Sequence, residues 1–375
     1  MKTLMLHSVG CEKENWYRKW LSISIEHFEN FCQYLVKNNF ETIFLDSWVE
    51  NPNADNKIVL TFDDGYLDNW VYAYPILKKY GLKGTIFINP EFIQNETDIR
   101  YNLEDVWNKK IDQSHLTKLG FLNWSELKAM QDSGVIDIQS HSMSHNFYFY
   151  SNKIIDIYTG QPKHNWLPWL SKPKRKPYYI NEDQSKFIDN GFPIFEYDRA
   201  LRVRRYIPDE KFIQYSVDAY SKLGEAIDKT EFIKNLNDKL NEFPGCFESD
   251  ADMHNRYTYE LAESKRIIEE KLSKPVDFIC WPGGGFNQSS IDVAKEVNYK
   301  AMTASDKKIK SLNTEGILNI SRNAMTSFIQ TPKRDHYIKN PQFLVTLFKY
   351  HNGSVLSKYK YRLRKLSLIV FDKLF

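Results

Sequence analysis

The chain has 375 residues, of which 42% are hydrophobic and 15% aromatic, so it can form a large packed core and is not a disordered protein. Its four cysteines have no paired spacing, which argues against a cysteine zinc site or a disulfide framework. The segment before His7 is too short for a signal peptide, and no run reaches the ~20 apolar residues of a membrane-spanning helix. We therefore expect a cytoplasmic protein.

The net charge of +3 is unevenly distributed along the chain. Residues 331–375 contain ten Lys or Arg and two Asp, which makes this segment +8 and leaves the first 330 residues at −5. Enzymes that act on nucleic acids more often carry their positive charge around the active site. A nucleic acid is therefore not an expected partner.

Several short apolar runs predict buried strands, with helical patterns between many of them. The predicted strands are Thr3–Leu6, Thr42–Leu45, Ile58–Phe62, Thr85–Ile88, Val135–Ile138, Val276–Cys280, Lys300–Thr303 and Ile317–Ile320. Strands that alternate with helices are typical of βα units around a parallel sheet or barrel.

The alternation stops between about residue 146 and residue 245, where the sequence is rich in aromatic residues and proline. We predict that residues 146–245 form an insertion or cap within one barrel domain that covers residues 1–330. Residues 331–375 then form a basic, amphipathic C-terminal tail.

The segment KIVLTFDDGYLDNW, residues 57–70, ends a predicted strand with two adjacent carboxylates. Asp63 and Asp64 raise each other's pKa, and near a core two such charges cost several kcal/mol unless they are neutralised. A metal ion would neutralise them, and the rest of the sequence contains candidates for its other ligands.

A second motif, HSMSH, follows the predicted strand Val135–Ile138. If this segment turns helically, His141 and His145 share a face and can bind one ion, although two such histidines alone are more often surface or hydrogen-bonded residues. An aspartate at another strand end would complete a three-ligand site that leaves a position for water, as in catalytic zinc sites.

A third motif, WPGGG, follows the predicted strand Val276–Cys280. Glycine and proline in this position usually form only a turn. At the mouth of a metal site, however, such a turn can expose backbone N–H groups toward a developing oxyanion.

In this order the three motifs resemble those of the polysaccharide deacetylase family, carbohydrate esterase family 4. The TFDDG motif of the family is intact at residues 61–65 and its H[ST]xxH motif is intact at residues 141–145, whereas its RxPYG-like turn is altered to CWPGG at residues 280–284. The resemblance covers roughly residues 1–145 and 250–325. It implies an α/β fold, a distorted (β/α) barrel of about seven strands with its active site at the C-terminal ends of the strands.

The resemblance also implies roles for the polar residues. Asp64, His141 and His145 would bind a divalent metal ion, for which zinc is the first expectation. Asp63 would be the catalytic base that takes a proton from the attacking water. Because adjacent strand residues point to opposite sides, the two aspartates can divide these roles.

Around the third motif, the N–H of Gly283 would stabilise the oxyanion, and Trp281 and Pro282 would contact the substrate. The arginine that orients the base in many family members would fall at residue 280, where this chain has Cys280. This is the first of two departures from the family pattern.

The second departure concerns the late histidine motif that supplies the general acid in the family. It is absent, because the matching strand reads GILNISRNAM at residues 316–325. His7, at the end of the first predicted strand, is the first candidate for the acid, with a core-capping role as its equal alternative. His254 is the second candidate, although a surface position is the commoner explanation for it.

Within the predicted insertion, YDRALRVRRY at residues 197–206 places four arginines within seven positions. A solvated charged face is the ordinary explanation of such a cluster. Beside a sugar-binding cleft, Arg202 and Arg205 would instead be candidates to bind a phosphate or an acidic sugar through paired hydrogen bonds.

The resemblance therefore predicts a metal-dependent hydrolase that removes an acetyl or other N-acyl group from a glycan or a sugar precursor. The alternative is a catalytically idle sugar-binding descendant, which the two departures would explain. The intact base and metal ligands argue against this alternative, because an idle protein has little physical reason to keep them together.

The basic tail predicts a contact with membranes. Four apolar residues recur in it at near-helical spacing, beside five cations between residues 358 and 365. The apolar residues are Leu363, Leu366, Val370 and Leu374. A basic amphipathic helix can lie in an anionic membrane surface, where a lipid-linked sugar precursor at the inner face would be within reach. Packing of the same stripe against the barrel is an equal alternative.

Overall fold

The computed structural model of the protein describes residues 2–16, 18–52, 55–224 and 228–374. Its strands are β1 (Lys2–Leu6), β2 (Ser8–Val9), β3 (Ser22–Ile23), β4 (Glu41–Thr42), β5 (Lys57–Phe62), β6 (Gly84–Ile88), β7 (Ile136–Ser140), β8 (Phe147–Ile157), β9 (Pro193–Arg199), β10 (Tyr206–Ile207), β11 (Cys246–Phe247), β12 (Phe278–Cys280), β13 (Ala301–Thr303), β14 (Leu318–Ile320), β15 (Arg322–Ala324), β16 (Phe328–Gln330) and β17 (Asp335–Tyr337). Its α-helices are α1 (Ile25–Lys37), α2 (Leu45–Glu50), α3 (Tyr74–Lys79), α4 (Leu103–Trp107), α5 (Trp124–Asp132), α6 (Leu167–Ser171), α7 (Glu210–Leu223), α8 (Lys229–Lys239), α9 (Asp250–Thr258), α10 (Ser264–Leu272), α11 (Gln288–Glu296), α12 (Asp306–Ile309), α13 (Gln342–His351) and α14 (Val355–Leu374).

The main sheet is parallel throughout, in the order β14–β13–β12–β7–β6–β5–β1–β15, and the short β4 also pairs with β5. Helices connect its neighbouring strands: α3 lies between β5 and β6, α5 between β6 and β7, and α11 between β12 and β13. A parallel pair needs such a crossover connection. The predicted α/β fold built from βα units is therefore confirmed.

The two ends of this sheet are one residue apart in the chain. β14 pairs with β13, with Leu318 opposite Ala301, whereas β15 pairs with β1, with Arg322 opposite Thr3. Only Ser321 separates β14 from β15, so one chain segment borders both edges of the sheet and closes the ring covalently. Because this segment joins β14 to β15, the two can be counted as one strand. The eight strands of the ladder then form a ring of seven, the number that the family resemblance implies.

β5 shows how the ring positions the first motif. Its Leu60 and Phe62 belong to the large hydrophobic cluster that the surrounding helices share. Its Val59 belongs to a smaller cluster with residues of β6, β12, β13 and β14, strands that lie around the inside of the ring. Because side chains alternate along a strand, Thr61 and Asp63 continue the inward side of Val59.

Residues 146–245 contain an antiparallel hairpin of β8 and β9, in which Phe147 is opposite Arg199, followed by α7 and α8. Their apolar side chains form a second hydrophobic cluster, which also includes Tyr66, Phe92 and Phe121 from the barrel. This shared cluster attaches the segment to the barrel at Tyr66, the residue that directly follows the first motif.

The basic tail contains two helices in different environments. α13 is buried in the large cluster, where the ring of Phe348 packs against that of Phe31 with 5.4 Å between centroids. α14 exposes most of its apolar side chains, and Leu363 is 66% exposed. The carboxylate of Asp372 fixes the far end of α14 to Arg334 at 2.7 Å. None of the helices in the described ranges combines the length and hydropathy that a membrane span requires.

These environments predict different effects of mutation. Phe348→Ala should reduce the free energy of unfolding by about 3–5 kcal/mol, because it leaves a cavity in the main cluster. Leu363→Ala on the exposed face of α14 should change it by less than about 0.5 kcal/mol. Urea unfolding monitored by circular dichroism measures both values. Equal losses in the two variants would contradict the assignment of α13 to the core and α14 to the surface.

Candidate active site

The three sequence motifs meet in one cleft at the carboxyl ends of the barrel strands. The aspartate pair follows β5, the histidine motif follows β7 and the glycine turn follows β12. Residues of all three line a cleft of about 650 Å³, together with residues of the insertion. Active sites of (β/α) barrels are found at this end.

Asp63 forms a buried ion pair with Arg322 across the seam of the ring. The guanidinium group donates to both carboxylate oxygens, at 2.6 and 2.8 Å, and the two side chains are 8% and 4% exposed. Burial by itself would raise the pKa of Asp63, but the charge and hydrogen bonds of Arg322 hold it below its ordinary value. Arg322 thus keeps Asp63 ionised and fixes its orientation.

Arg322 fills the place that the altered third motif leaves open. Cys280 stands where the family pattern has arginine, and its Sγ lies 2.9 Å from Arg322 Nη2 and 3.5 Å from Asp63 Oδ2. The small side chain allows an arginine from β15 to reach the aspartate. The sequence contained this arginine in SRNAM, but nothing in its spacing predicted a partner 259 positions earlier.

Asp64, His141 and His145 converge on one point. Asp64 Oδ1 lies 3.2 Å from Nε2 of His141 and 3.4 Å from Nε2 of His145, and all three residues are buried. Nδ1 of His141 lies 2.8 Å from the Cys280 carbonyl oxygen. This contact places the ring proton on Nδ1 and leaves the Nε2 lone pair directed at the cluster.

The histidine segment is a loop and not the helical turn that its i, i+4 spacing suggested. Ser142 and His145 have positive φ angles of 64° and 51°, and Asp64 has a φ of 76°. Such left-handed conformations cost on the order of 1–3 kcal/mol each outside glycine. The conformation of Asp64 also interrupts the strand alternation, so both aspartates line the same cleft.

Buried polar groups hold this loop in place. Glu260 accepts hydrogen bonds from the backbone N–H of Ser144, at 3.0 Å, and from its hydroxyl group. Lys176 of the insertion is fully buried and donates to the Ser144 carbonyl and to Asn146 Oδ1, both at 2.8 Å. It also pairs with Glu91 at 2.5 Å. The insertion therefore supports the histidine loop directly.

The chemistry of Asp64, His141 and His145 fits a divalent metal ion. Asp64 Oδ1 is buried without a hydrogen bond although it faces two imidazole nitrogens. Burial raises the pKa of Asp64, but the two histidines reverse this and hold it well below its ordinary value, and burial lowers the pKa of His145 well below its own. Burial also acts to lower the pKa of His141, but Cys280 and the two aspartates raise it well above its ordinary value, so this imidazole would release a proton on binding an ion. An ionised carboxylate and a neutral imidazole are the forms that bind metals, and two imidazoles with one carboxylate form a typical catalytic zinc set.

The structure separates the two candidates for the general acid. His7 lines the cleft with its Nε2 at 3.8 Å from Asp63 Oδ2. Burial lowers the pKa of His7, while Asp63 and Asp64 act in the opposite direction. His254 is 54% exposed on α9, where it pairs with Glu296, and it is not among the residues that line the cleft.

Of the third motif, Trp281 and Gly283 line the cleft, whereas Pro282 is buried and does not. The indole of Trp281 is 1% exposed and stacks on Phe286 with 5.5 Å between ring centroids. The turn thus contributes an aromatic side chain and two glycines, Gly283 and Gly284, to the cleft.

The arginine of the 199–205 cluster that lines the cleft is not one of the two that the sequence analysis proposed for substrate binding. Arg202 pairs with Asp198 at 2.9 Å and Arg205 stacks on Tyr148 at 4.6 Å, and neither lines the cleft. Arg199, at the end of β9, does line it. Helical or strand spacing does not distinguish these arginines, because the hairpin geometry decides which one faces inward.

Comparison with known proteins finds similarity to the same family that the three motifs resemble. Residues 50–176 match the family model described as polysaccharide deacetylase. A protein named as a polysaccharide deacetylase, YxkH of Bacillus subtilis, is 29% identical over 147 residues, which are 38% of this chain and 42% of YxkH. The chain therefore spans less than half of that relative. The resemblance seen in the sequence is thus confirmed by a family match over residues 50–176.

Two solved structures share the fold. A de-N-acetylase from Aggregatibacter actinomycetemcomitans has a TM-score of 0.52 and 18% identity, covering 86% of this chain and 93% of its own. The BpsB deacetylase domain from Bordetella bronchiseptica has a TM-score of 0.50 and 15% identity, covering 86% and 95%. At such low sequence identities, the likeness to these two structures shows a shared fold only.

The Asp63–Arg322 pair can be tested through stability. Arg322→Met should reduce the free energy of unfolding by about 3–5 kcal/mol, because it leaves a buried carboxylate without a partner. Adding Asp63→Asn to this variant should restore part of the loss. Urea unfolding of the two single variants and the double variant measures the coupling. Arg266→Met, which removes a surface arginine that is 58% exposed, is the control and should leave stability nearly unchanged. Additive losses in the cycle would contradict the pair.

Proposed function

We propose that this protein is a metal-dependent deacetylase that removes N-acetyl groups from a glycan or a sugar precursor. The observation that carries the proposal is the convergence of Asp64 Oδ1 with two imidazole nitrogens, at 3.2 and 3.4 Å, beside the separately held Asp63. A divalent ion, with zinc as the first candidate, would be held by Asp64, His141 and His145 and would supply Lewis acidity toward the acetyl carbonyl and a water. The domain match supports this activity.

Asp63 would take the proton from the attacking water. The Arg322 contact keeps it ionised, and its carboxylate lines the cleft beside Asp64. A carboxylate in this state is a competent general base. The N–H of Gly283, on the same cleft wall, would stabilise the oxyanion that forms as the acetyl carbon is attacked.

His7 would protonate the leaving amine. It lines the cleft and its Nε2 is 3.8 Å from Asp63 Oδ2, so acid and base lie side by side at the reacting centre. Because burial lowers the pKa of His7, the imidazole would first receive the proton that Asp63 takes from the water and then donate it to the amine.

The alternative, an idle sugar-binding protein, rested on a missing arginine and a missing histidine. The bidentate contact of Arg322 removes the first reason, because the base has an arginine partner from another strand. The position of His7 beside Asp63 weakens the second. The site therefore favours an active enzyme.

The roles of ligands and base predict different effects of mutation. His141→Ala and His145→Ala should each remove most of the bound metal and abolish acetate release. Asp63→Asn should keep the metal but lose at least ~100-fold in turnover, because only the base is removed. Elemental analysis and acetate release from small N-acetylated sugars, with zinc supplied, measure both effects.

His254→Ala is the matched control, because it removes an exposed histidine outside the cleft and should change neither measurement. Unchanged metal content in both His141→Ala and His145→Ala would show that the ligand assignment is wrong. Undiminished turnover in Asp63→Asn would contradict its role as the base.

The exposed face of α14 supports a membrane-associated substrate. Apolar residues follow a spacing of 3, 4, 3 and 4 along this face, all at least 48% exposed, namely Leu356, Tyr359, Leu363, Leu366 and Val370. Lys360 and Arg362 flank the stripe, so two copies facing each other would repel, whereas an anionic surface would attract. Each cation near lipid headgroups contributes about 1 kcal/mol. We therefore include a lipid-linked sugar precursor at the inner membrane face as the proposed substrate.

The membrane contact predicts binding to lipid vesicles. The full chain should co-sediment with anionic liposomes at low salt and less at high salt, because the attraction is electrostatic. Truncation after Asn352 should abolish the binding. Neutral liposomes are the control. No binding of the full chain at low salt would leave α14 as a surface helix without a membrane role.

A further inference from the structure

Two cations from different parts of the chain meet over the glycine turn of the third motif. A Cβ atom placed on Gly283 would lie 2.2 Å from Nε of Arg199, and one placed on Gly284 would lie 2.9 Å from Nζ of Lys308. Arg199 comes from the insertion and Lys308 from α12. Both charged groups, with both glycines, line the cleft.

Each cation has a close contact with an uncharged group. The guanidinium of Arg199 lies over the ring of Phe147 at 3.9 Å from the centroid. Nζ of Lys308 donates to the carbonyl oxygen of Gly284 at 2.6 Å. Partial burial and the positive charges of Arg202 and Arg199 lower the pKa of Lys308, while the carboxylate of Asp198 acts in the opposite direction. The positive charges of Arg199 and Lys308 thus lie close together at the glycine turn.

The charged residues that line the whole cleft are also mainly cations. Among the described residues, its lining contains two carboxylates, Asp63 and Asp64. Asp63 is neutralised by Arg322, and Asp64 faces the imidazoles. The lining has four further cations, which are Arg18, Lys163, Arg199 and Lys308. The lining therefore has more cations than carboxylates, although Lys163 pairs with Asp156 at 2.6 Å and Asp198 lies near Lys308.

We propose that Arg199 and Lys308 form a subsite for an anionic group, a carboxylate or a phosphate, carried by the sugar from which the acetyl group is removed. This inference rests on the proposed deacetylase function and names its substrate class. Arginine and lysine bind such groups through charge-assisted hydrogen bonds, and the planar arginine fork matches both. The glycines leave the turn open at the point where the two cations converge.

The subsite also accounts for the change in the third motif. Gly283 stands where the RxPYG pattern has tyrosine, and any side chain at this position would collide with Arg199. The backbone of Gly283 has a φ of 54° and that of Gly284 a φ of 64°, which favour glycine independently. Loss of the aromatic side chain and gain of an arginine in the same space turn an apolar wall into a cationic one.

The test compares matched N-acetylated sugars. N-acetylglucosamine 1-phosphate supplies the phosphate arm, N-acetylglucosaminuronic acid the carboxylate arm, and the methyl glycoside of N-acetylglucosamine the neutral reference. In the wild-type enzyme with zinc, kcat/KM for at least one anionic sugar should exceed that for the neutral sugar by at least ~10-fold, the scale of one charge-assisted hydrogen bond. The anionic sugar with the higher kcat/KM shows whether the subsite binds a phosphate or a carboxylate.

Variants assign the preference to the two cations. Arg199→Gln combined with Lys308→Gln should reduce the ratio of anionic to neutral kcat/KM to within ~2-fold of one, whereas Arg199→Lys should retain part of it. Lys307→Gln is the matched control, because it removes the neighbouring exposed lysine of α12 that does not line the cleft. It should leave the ratio unchanged.

A binding measurement separates this proposal from the deacetylase function. N-acetylglucosamine 1-phosphate and the uronic acid are titrated against the tryptophan fluorescence of the cleft, and the double variant should bind the preferred sugar at least ~10-fold more weakly. Acetate release from all three sugars at equal rates, with no effect of the variants on binding, would overturn the subsite and leave the deacetylase intact. Anion binding that depends on Arg199 and Lys308 without any acetate release would retain the subsite and overturn the activity.

Discussion

The buried ion pair between Asp63 and Arg322 is the constraint on which the rest of the site depends. Removing two charges from water costs several kcal/mol per ion, and only close, bidentate geometry offsets this cost. The required partner enters from the segment that joins the two edges of the sheet, between β14 and β15. Closing the ring and fixing the aspartate are therefore linked, because the segment that closes the ring also supplies the arginine that keeps the buried carboxylate ionised and oriented.

The metal-binding cluster depends on a second constraint, which is backbone strain. Asp64, Ser142 and His145 all adopt left-handed conformations that the local sequence does not favour. Glu260 and Lys176 hold the histidine loop with buried hydrogen bonds, and Lys176 comes from the insertion. The insertion is thus part of the site in two ways, through this support and through the cleft wall formed by the β8–β9 hairpin.

Two substitutions within the third motif, at Cys280 and Gly283, have the same physical explanation. A small residue replaces a large one, and an arginine from elsewhere in the chain occupies the space. Cys280 leaves room for Arg322, and Gly283 leaves room for Arg199. The third motif therefore looks degraded only in the sequence. In the folded protein, arginines from distant segments occupy the space that its smaller residues leave.

The sequence by itself determined the parallel α/β architecture and the two intact motifs, because short apolar runs, helical spacing and residues adjacent in the chain are local signals, while the barrel form was implied by the family resemblance. Asp63, Asp64, His141 and His145 could be identified from strand ends for this reason. The tertiary structure alone decided the partner of Asp63, the choice of Arg199 over Arg202 and Arg205, and the shared orientation of both aspartates. These depend on contacts between segments that are far apart in the chain and on a left-handed backbone, neither of which leaves a periodic pattern in the sequence.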